Sequence, residues 1–206
     1  MNDTSAIKPW DARLAYRLVY PLRRSRVTPN HLTTLRLAFG LAACLAFAQG
    51  GFAWSNVGAL CFAVSTFLDH ADGELARITG KSSRWGHYYD LVADATVNVL
   101  LFVGIGIGLT ASPLGWVAVP MGVVAGLSVA AIFHMRHVIE LHVGKTDARQ
   151  PNLGWIEAED VFYLLPLVGL ARQVQPFLVL ATVGAPLYAL WVLREYRRLD
   201  RGAGVA

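Results

Sequence analysis

Asp69, Asp72, Asp90 and Asp94 stand inside two apolar stretches that otherwise read as membrane-spanning helix. An ionised carboxylate at membrane depth costs at least a few kcal/mol, so an intramembrane acid marks a functional site by default. Four of them close together demand a counter-charge, and a bound divalent metal is the simplest one. Asp69 and Asp72 are three apart and Asp90 and Asp94 four apart, so each pair shares one face of its helix. An antiparallel hairpin turning near Lys81 and Ser82 puts Asp72 level with Asp90 and Asp69 level with Asp94. A four-carboxylate cage of this kind has the size to hold two hard cations about 3.5–4 Å apart.

Small residues accompany the acids. Gly73 follows Asp72, Ala76 lies one turn on, and Gly86 opens the next span. On packed helices such residues let backbones approach; beside a metal cage they also leave room for a flat ligand and for phosphate oxygens. Arg77, at the end of its span, is either a snorkelling interface anchor or a phosphate grip with paired hydrogen bonds. Together these features describe a site for a pyrophosphate-containing substrate. A carboxylate not fully used in coordination can take a proton from an attacking hydroxyl. Asp94, in the deeper layer, is the candidate, although spacing alone leaves Asp69 open for the same role.

The elements that must position these residues follow from composition. The chain has 206 residues, 55% of them hydrophobic and 16% charged, with a mean hydropathy of +0.44. Soluble domains average about 25% charged residues, so an all-α polytopic membrane protein is expected. Six apolar segments fall at roughly 33–50, 56–79, 86–110, 115–141, 157–171 and 175–195, each about long enough for a 30 Å hydrocarbon core, the fifth the shortest. Breakers separate them: Gln49-Gly50-Gly51, Gly80-Lys81-Ser82-Ser83, Ala111-Ser112-Pro113 and Gln150-Pro151-Asn152.

A single membrane domain accounts for 1–206, with an interfacial segment over 1–30, the six-helix bundle over 31–195 and a tail over 196–206. From Trp10 to Arg24 the pattern sets Leu14, Leu18, Val19 and Leu22 against Arg13, Arg17, Arg23 and Arg24, as in an amphipathic helix lying in the membrane interface. The first 30 residues do not read as a cleavable leader. Cys44 and Cys61 fall within spans and read as small buried residues rather than a disulfide framework.

Lysines and arginines set the expected orientation. The N-terminal arginines, Lys81, Arg84, Lys145, Arg149, Arg194, Arg197, Arg198 and Arg201 lie on one side, and Arg172 alone on the other. Both termini and the acid site then face the cytosol. The formal charge of +4 is no nucleic-acid signal, because the bases cluster at helix ends.

The string Asp69-xx-Asp72-Gly73-xx-Ala76-Arg77-(x8)-Gly86-xxx-Asp90-xxx-Asp94 resembles the signature of the CDP-alcohol phosphatidyltransferase family, with all eight defining positions at the family's gaps. Pro29-Asn30-His31-Leu32-Thr33-xx-Arg36 is similar to a second element of that family. The resemblance implies transfer of a substituted phosphate from a CDP-linked alcohol to a hydroxyl, with release of CMP. It implies two magnesium or manganese ions shared by Asp69, Asp72, Asp90 and Asp94, with Asp94 as proton acceptor. Gly73, Ala76, Arg77, Ser83 and Gly86 would line the nucleotide and pyrophosphate pocket, joined by Asn30 and Thr33. A homodimer in a bacterial inner membrane, with phospholipid as substrate and surroundings, is the accompanying expectation.

Acceptor choice falls to the region after the fourth segment. Arg136, Lys145 and Arg149 are candidates for an acceptor phosphate, with His134 and His137 beside them; Glu157, Glu159 and Asp160 could pair with those bases or cap a helix. CDP-diacylglycerol with glycerol 3-phosphate, inositol, inositol phosphate or serine is the expected type. The reversed alternative takes CDP-choline or CDP-ethanolamine to diacylglycerol. An ion-coupled transporter would also carry intramembrane acids, but has no need of the glycines, Ala76 and Arg77 at these intervals. A non-catalytic scaffold would leave the cost of the acids without purpose.

Overall fold

The computed structural model describes residues 10–143 and 162–203, and every regular element among them is helical. α1 (Trp10–Val19) is a short helix followed by a 3₁₀ turn at Tyr20–Arg24, with Pro21 in its first turn. Ala15 and Val19 are buried against Ala71 and Leu75, whereas Leu14 and Leu18 stay exposed. The helix therefore uses its small residues to dock and keeps its leucines outward.

α2 (Pro29–Gln49) starts where Pro29 occupies the first turn, with a preset φ and no N–H to satisfy. The Thr28 N–H donates to His31 Nδ1 at 3.2 Å and so closes the start of the helix. Gly50 and Gly51, with φ of 69° and 75°, turn the chain within two residues, a conformation open to glycine. α3 (Gly51–Thr79) follows at once and stops at Gly80 in the left-handed region. α4 (Arg84–Gly108) is capped by Ser83, whose hydroxyl accepts from the Gly86 N–H at 2.9 Å. α5 (Ala118–Val143), α6 (Leu165–Leu170) and α7 (Val174–Ala203) complete the order. α7 continues past the expected boundary at 195 and contains Pro186.

One expectation is corrected. α3 and α4 do not form a face-to-face hairpin: they barely touch, and each packs along α2, which lies between them. Small residues allow this. A Cβ at Gly104 of α4 would stand 2.5 Å from the Cys44 carbonyl oxygen of α2, and one at Gly40 would stand 2.5 Å from a Val97 methyl, so backbone and side chain meet where a larger residue would not fit. Among the described residues, five helices are long and apolar enough to cross a membrane: 29–49, 51–79, 84–108, 115–139 and 174–198. The fifth expected segment, 157–171, lies partly outside the described residues. Its described part is a 3₁₀ turn over 162–164 and the six-residue α6, about 9 Å of helix.

That short piece nevertheless carries the chain in a definite direction. Phe162 meets Phe62 with ring centroids 5.5 Å apart, while Gly169 lies against Asn56 and Arg172 stacks on Phe52 at 4.6 Å. Residues 162–172 therefore run antiparallel to α3, away from the 80–83 turn. α7 then runs parallel to α5: Thr182 Oγ1 donates to the Met121 carbonyl at 3.3 Å, and Arg136 reaches Glu195 at 3.2 Å. The ends of α3, α5 and α7, together with α1, gather at one end of the bundle. The core beneath them is built on Phe47, Phe62, Leu101, Phe102, Ile105, Leu165 and Leu178. Leu41, Leu45, Trp54, Leu60, Leu180, Val183 and Leu187 are exposed, an outward apolar surface suited to lipid. Cys44 and Cys61 are free and half-buried.

Two outcomes follow for this packing. Gly104→Leu forces α2 and α4 apart and lowers stability by about 2 kcal/mol or more, seen as a reduced thermal midpoint in detergent. With Cys44 and Cys61 replaced by alanine, Arg26→Cys and Lys81→Cys react with an impermeant maleimide from one face of the membrane and Arg172→Cys from the other. Labelling of Lys81→Cys and Arg172→Cys from the same face would break the arrangement.

Candidate active site

The four aspartates are gathered across α2 rather than by contact between their own helices. Asp69, Asp72 and Asp90 each offer a carboxylate oxygen within 4.8 Å of the others. α2 contributes two polar side chains one turn apart. Thr33 donates its hydroxyl to Asp72 Oδ2 at 2.8 Å. Arg36 Nη1 lies 2.5 Å from Asp69 Oδ1 and 2.9 Å from Asp90 Oδ1, and its Nη2 donates to Asp94 Oδ1. Ser65 of α3 donates to the Arg36 carbonyl at 2.9 Å, which ties the helix carrying the guanidinium to the helix carrying Asp69 and Asp72.

Burial makes this arrangement consequential. Arg36 is 3% exposed and Asp72 6% exposed, whereas Asp69, Asp90 and Asp94 are half-buried. One guanidinium balances one carboxylate, so the ionised cluster carries more negative charge than its protein partner neutralises. Two like charges 4 Å apart repel by about 4 kcal/mol at an effective dielectric of about 20. The donors converging on the gap are all carboxylate oxygens, the ligand set of hard divalent cations such as magnesium or manganese. The residues fit such an ion, and Asp69, Asp72 and Asp90 are the ones placed to share it. Asp94 stands beside this trio and is not one of the three whose oxygens all lie within 4.8 Å of one another.

Asp94 is instead oriented from two sides. Its Oδ1 takes both Arg36 Nη2 and Asn98 Nδ2, the latter at 3.3 Å, and Asn98 also donates to the Asp94 carbonyl at 3.0 Å. Oδ2 of Asp94 has no hydrogen-bond partner among the described residues. Deeper in the bundle a cavity of about 50 Å³ is bounded by Asp69, Asp94, Asn98, Ser65 and Thr66, with Phe62, Phe133 and Phe162 closing it. A space of this size and polarity accommodates water.

Toward the 80–83 turn, the small residues have specific neighbours. A Cβ at Gly86 would stand 2.9 Å from Asn30 Oδ1 and 3.1 Å from Ser83 Oγ, so the glycine lets the first turn of α4 sit on Asn30. A Cβ at Gly73 would come 3.4 Å from Arg77 Nη2. Arg77, largely exposed, donates through Nη1 to the buried Glu74 at 2.6 Å. Ala76 is half-buried on the same helix. Thr34 and Tyr89 hydroxyls meet at 3.0 Å and link α2 to α4 beside Asp90.

The acceptor candidates scatter. His134 is exposed on α5. Arg136 is buried but turned to α7, where its Nη2 donates to the Tyr188 hydroxyl at 3.2 Å and its guanidinium lies 5.3 Å from the Trp191 ring. His137 packs its ring 5.1 Å from that of His87, at the start of α4. Lys145, Arg149, Glu157, Glu159 and Asp160 lie outside the described residues.

Arg36 is the residue to which spacing assigned no role. Its signal was available, because an arginine seven residues into an apolar helix carries the same membrane cost that singled out the aspartates. Glu74, Ser65 and Asn98 were also missed. Isolated polar residues at helical spacing carry no mark of what they face. His70 finds Tyr163, whose hydroxyl is 3.2 Å from Nδ1, only because α6 folds back along α3.

Comparison with known proteins supplies independent findings. Residues 26–185 match the model of the CDP-alcohol phosphatidyltransferase family. An archaetidylinositol phosphate synthase of Pyrococcus horikoshii is 32% identical over 104 residues, covering 50% of this chain and 54% of that protein. A phosphatidylinositol phosphate synthase of Streptomyces avermitilis is 34% identical over 84 residues, 40% of this chain and 33% of that one. The chain thus spans about half the length of the first relative and a third of the second. The crystal structure of Mycobacterium tuberculosis phosphatidylinositol phosphate synthase with CDP-DAG bound shares the fold, with a TM-score of 0.58, 21% identity and 92% coverage of both chains.

The arrangement of the trio separates the acids by experiment. Asp72→Asn weakens Mn²⁺ binding by at least about tenfold, read from the free Mn²⁺ resonance in detergent, because it removes one of three converging ligands. Asp94→Asn, outside the trio, changes it by less.

Proposed function

The chain belongs to the CDP-alcohol phosphatidyltransferase family, and on that premise we propose that it transfers a phosphatidyl group from CDP-diacylglycerol to a small phosphorylated alcohol, releasing CMP. The observation that carries this reading is the Asp69–Asp72–Asp90 trio beside a carboxylate, Asp94, whose Oδ1 is anchored and whose Oδ2 is left open. The names of the relatives and the CDP-DAG in the similar structure favour an inositol phosphate as acceptor and CDP-diacylglycerol as donor.

Bound divalent ions, two in this reading, would neutralise the pyrophosphate and stabilise the departing phosphate oxygen. The protein's own groups do the rest. Asp94 Oδ2 takes the proton of the acceptor hydroxyl. Arg36 and Asn98 hold its other oxygen, so the carboxylate cannot rotate away. The hydroxyl oxygen attacks the phosphorus that bears the diacylglycerol, a P–O bond forms to it, and the bond from that phosphorus to the CMP oxygen breaks. Ser65, which borders the cavity, gives its hydroxyl proton to the Arg36 carbonyl, which favours a single in-line displacement.

Arg77, steadied by Glu74, is suited to a donor phosphate. Gly73 and Gly86 keep the approach open, with Ala76, Asn30, Thr33 and Ser83 along the nucleotide side. Lys145 and Arg149 supply positive charge for the acceptor phosphate in this proposal. His137 is the neighbouring candidate through His87. Arg136 acts first on α7 and Glu195. A bacterial plasma membrane is the proposed location, and the arginine and lysine pattern supports a cytosolic site there, with α1 in the interface. The family resemblance supports a homodimer.

A donor-by-acceptor screen in detergent tests this. CMP release is expected with CDP-diacylglycerol plus inositol phosphate, exceeding that with glycerol 3-phosphate, inositol or serine, and with CDP-choline plus diacylglycerol as the reversed control. It is expected to stop on chelation and return with Mg²⁺ or Mn²⁺. Asp94→Asn lowers kcat by about 10²–10⁴-fold. Activity undiminished in that variant removes Asp94 from its role, and silence with every CDP-linked donor removes the transferase reading.

A further inference from the structure

Arg36 and a divalent ion would use the same acids. Nη1 bridges Asp69 and Asp90, two of the three carboxylates that converge for a cation, and Nη2 holds Asp94. Asp72, the third member of the trio, is held by Thr33 instead. A guanidinium is not deprotonated in proteins, so this positive charge cannot be discharged by proton loss when a second cation arrives. It must withdraw or share. Its Nη2–Asp94 contact gives it an anchor outside the trio to which it can retreat without leaving the site.

We propose that Arg36 is the resident counter-ion of the cage: it holds Asp69 and Asp90 in place while no divalent ion is bound and yields them when one binds. The inference rests on the metal-cage reading above, and it makes Arg36 a positioning residue with two opposed effects. It stabilises the metal-free protein, because it is the guanidinium that pairs with three of the four acids at membrane depth. It also weakens metal binding, because a charge of the same sign as the metal sits a few ångströms from the ligands. A residue with a merely structural role would lower stability with and without metal alike and would not tighten binding.

The test compares wild-type protein with Arg36→Gln, full chain in detergent, by Mn²⁺ binding and by thermal midpoints in EDTA and in saturating Mn²⁺. Arg36→Gln is expected to bind Mn²⁺ at least about tenfold more tightly. Its midpoint in EDTA is expected to fall by on the order of 10 °C, with most of that gap closing in Mn²⁺. Mn²⁺ binding that is equal or weaker in the variant, while wild type binds, overturns the counter-ion role and leaves the cage intact. Absence of Mn²⁺ binding in wild type overturns the cage reading itself. Should Arg36→Gln fail to fold, ¹⁵N spectra of arginine side chains in wild type decide the matter. Slow rotation of the Arg36 amino groups without metal is expected to give way on adding Mg²⁺, and an Arg36 signal unchanged by Mg²⁺ at saturation overturns the proposal.

Discussion

Negative charge concentrated at membrane depth is the constraint around which this molecule is organised. Two acids on α3 and two on α4 cannot approach each other without cationic company, and the fold places an arginine among them. Because Arg36 projects from α2, the helix that supplies it must run between the two that need it. The central position of α2 and the meagre contact between α3 and α4 are thus the structural counterpart of an electrostatic requirement.

Packing makes that central position possible. α2 is flanked closely on both sides, and the closest approach to α4 occurs at glycines, where a Cβ would collide with a neighbouring backbone or side chain. Close helices let short side chains such as Thr33 and Ser65 bond across the interface. Polar bonds between helices in an apolar setting are each modest, on the order of 1 kcal/mol, but they fix rotation as well as separation. Helix rotation decides whether an aspartate faces the gap or lipid, so these small contacts carry through to the chemistry.

The four acids do not share one setting. Asp69, Asp72 and Asp90 converge, while Asp94 is drawn aside by Arg36 and Asn98 and presents one oxygen. Equivalent residues in a spacing pattern thus meet different surroundings. Arg136 makes the same point in reverse: a base in a promising stretch of sequence turns to α7, where Nη2 donates to the Tyr188 hydroxyl and the guanidinium packs against Glu195 and Trp191.

Helical class, the location of most spans, the turn at 80–83 and the acid motif were all legible in the residues, because local rules govern them: apolar run length, glycine and proline at breaks, and three- and four-residue spacing on one face. The reading went astray where non-local packing decides. Spacing makes adjacent segments a facing pair, but three helices share the site and sequence order does not say which lies in the middle. The described part of the fifth segment is a short helix packed back along α3, a path that contacts decide and run length does not. Spacing could place four carboxylates on two faces. Only the tertiary structure could bring a guanidinium from a third helix between them, since that contact joins residues more than fifty positions apart along the chain.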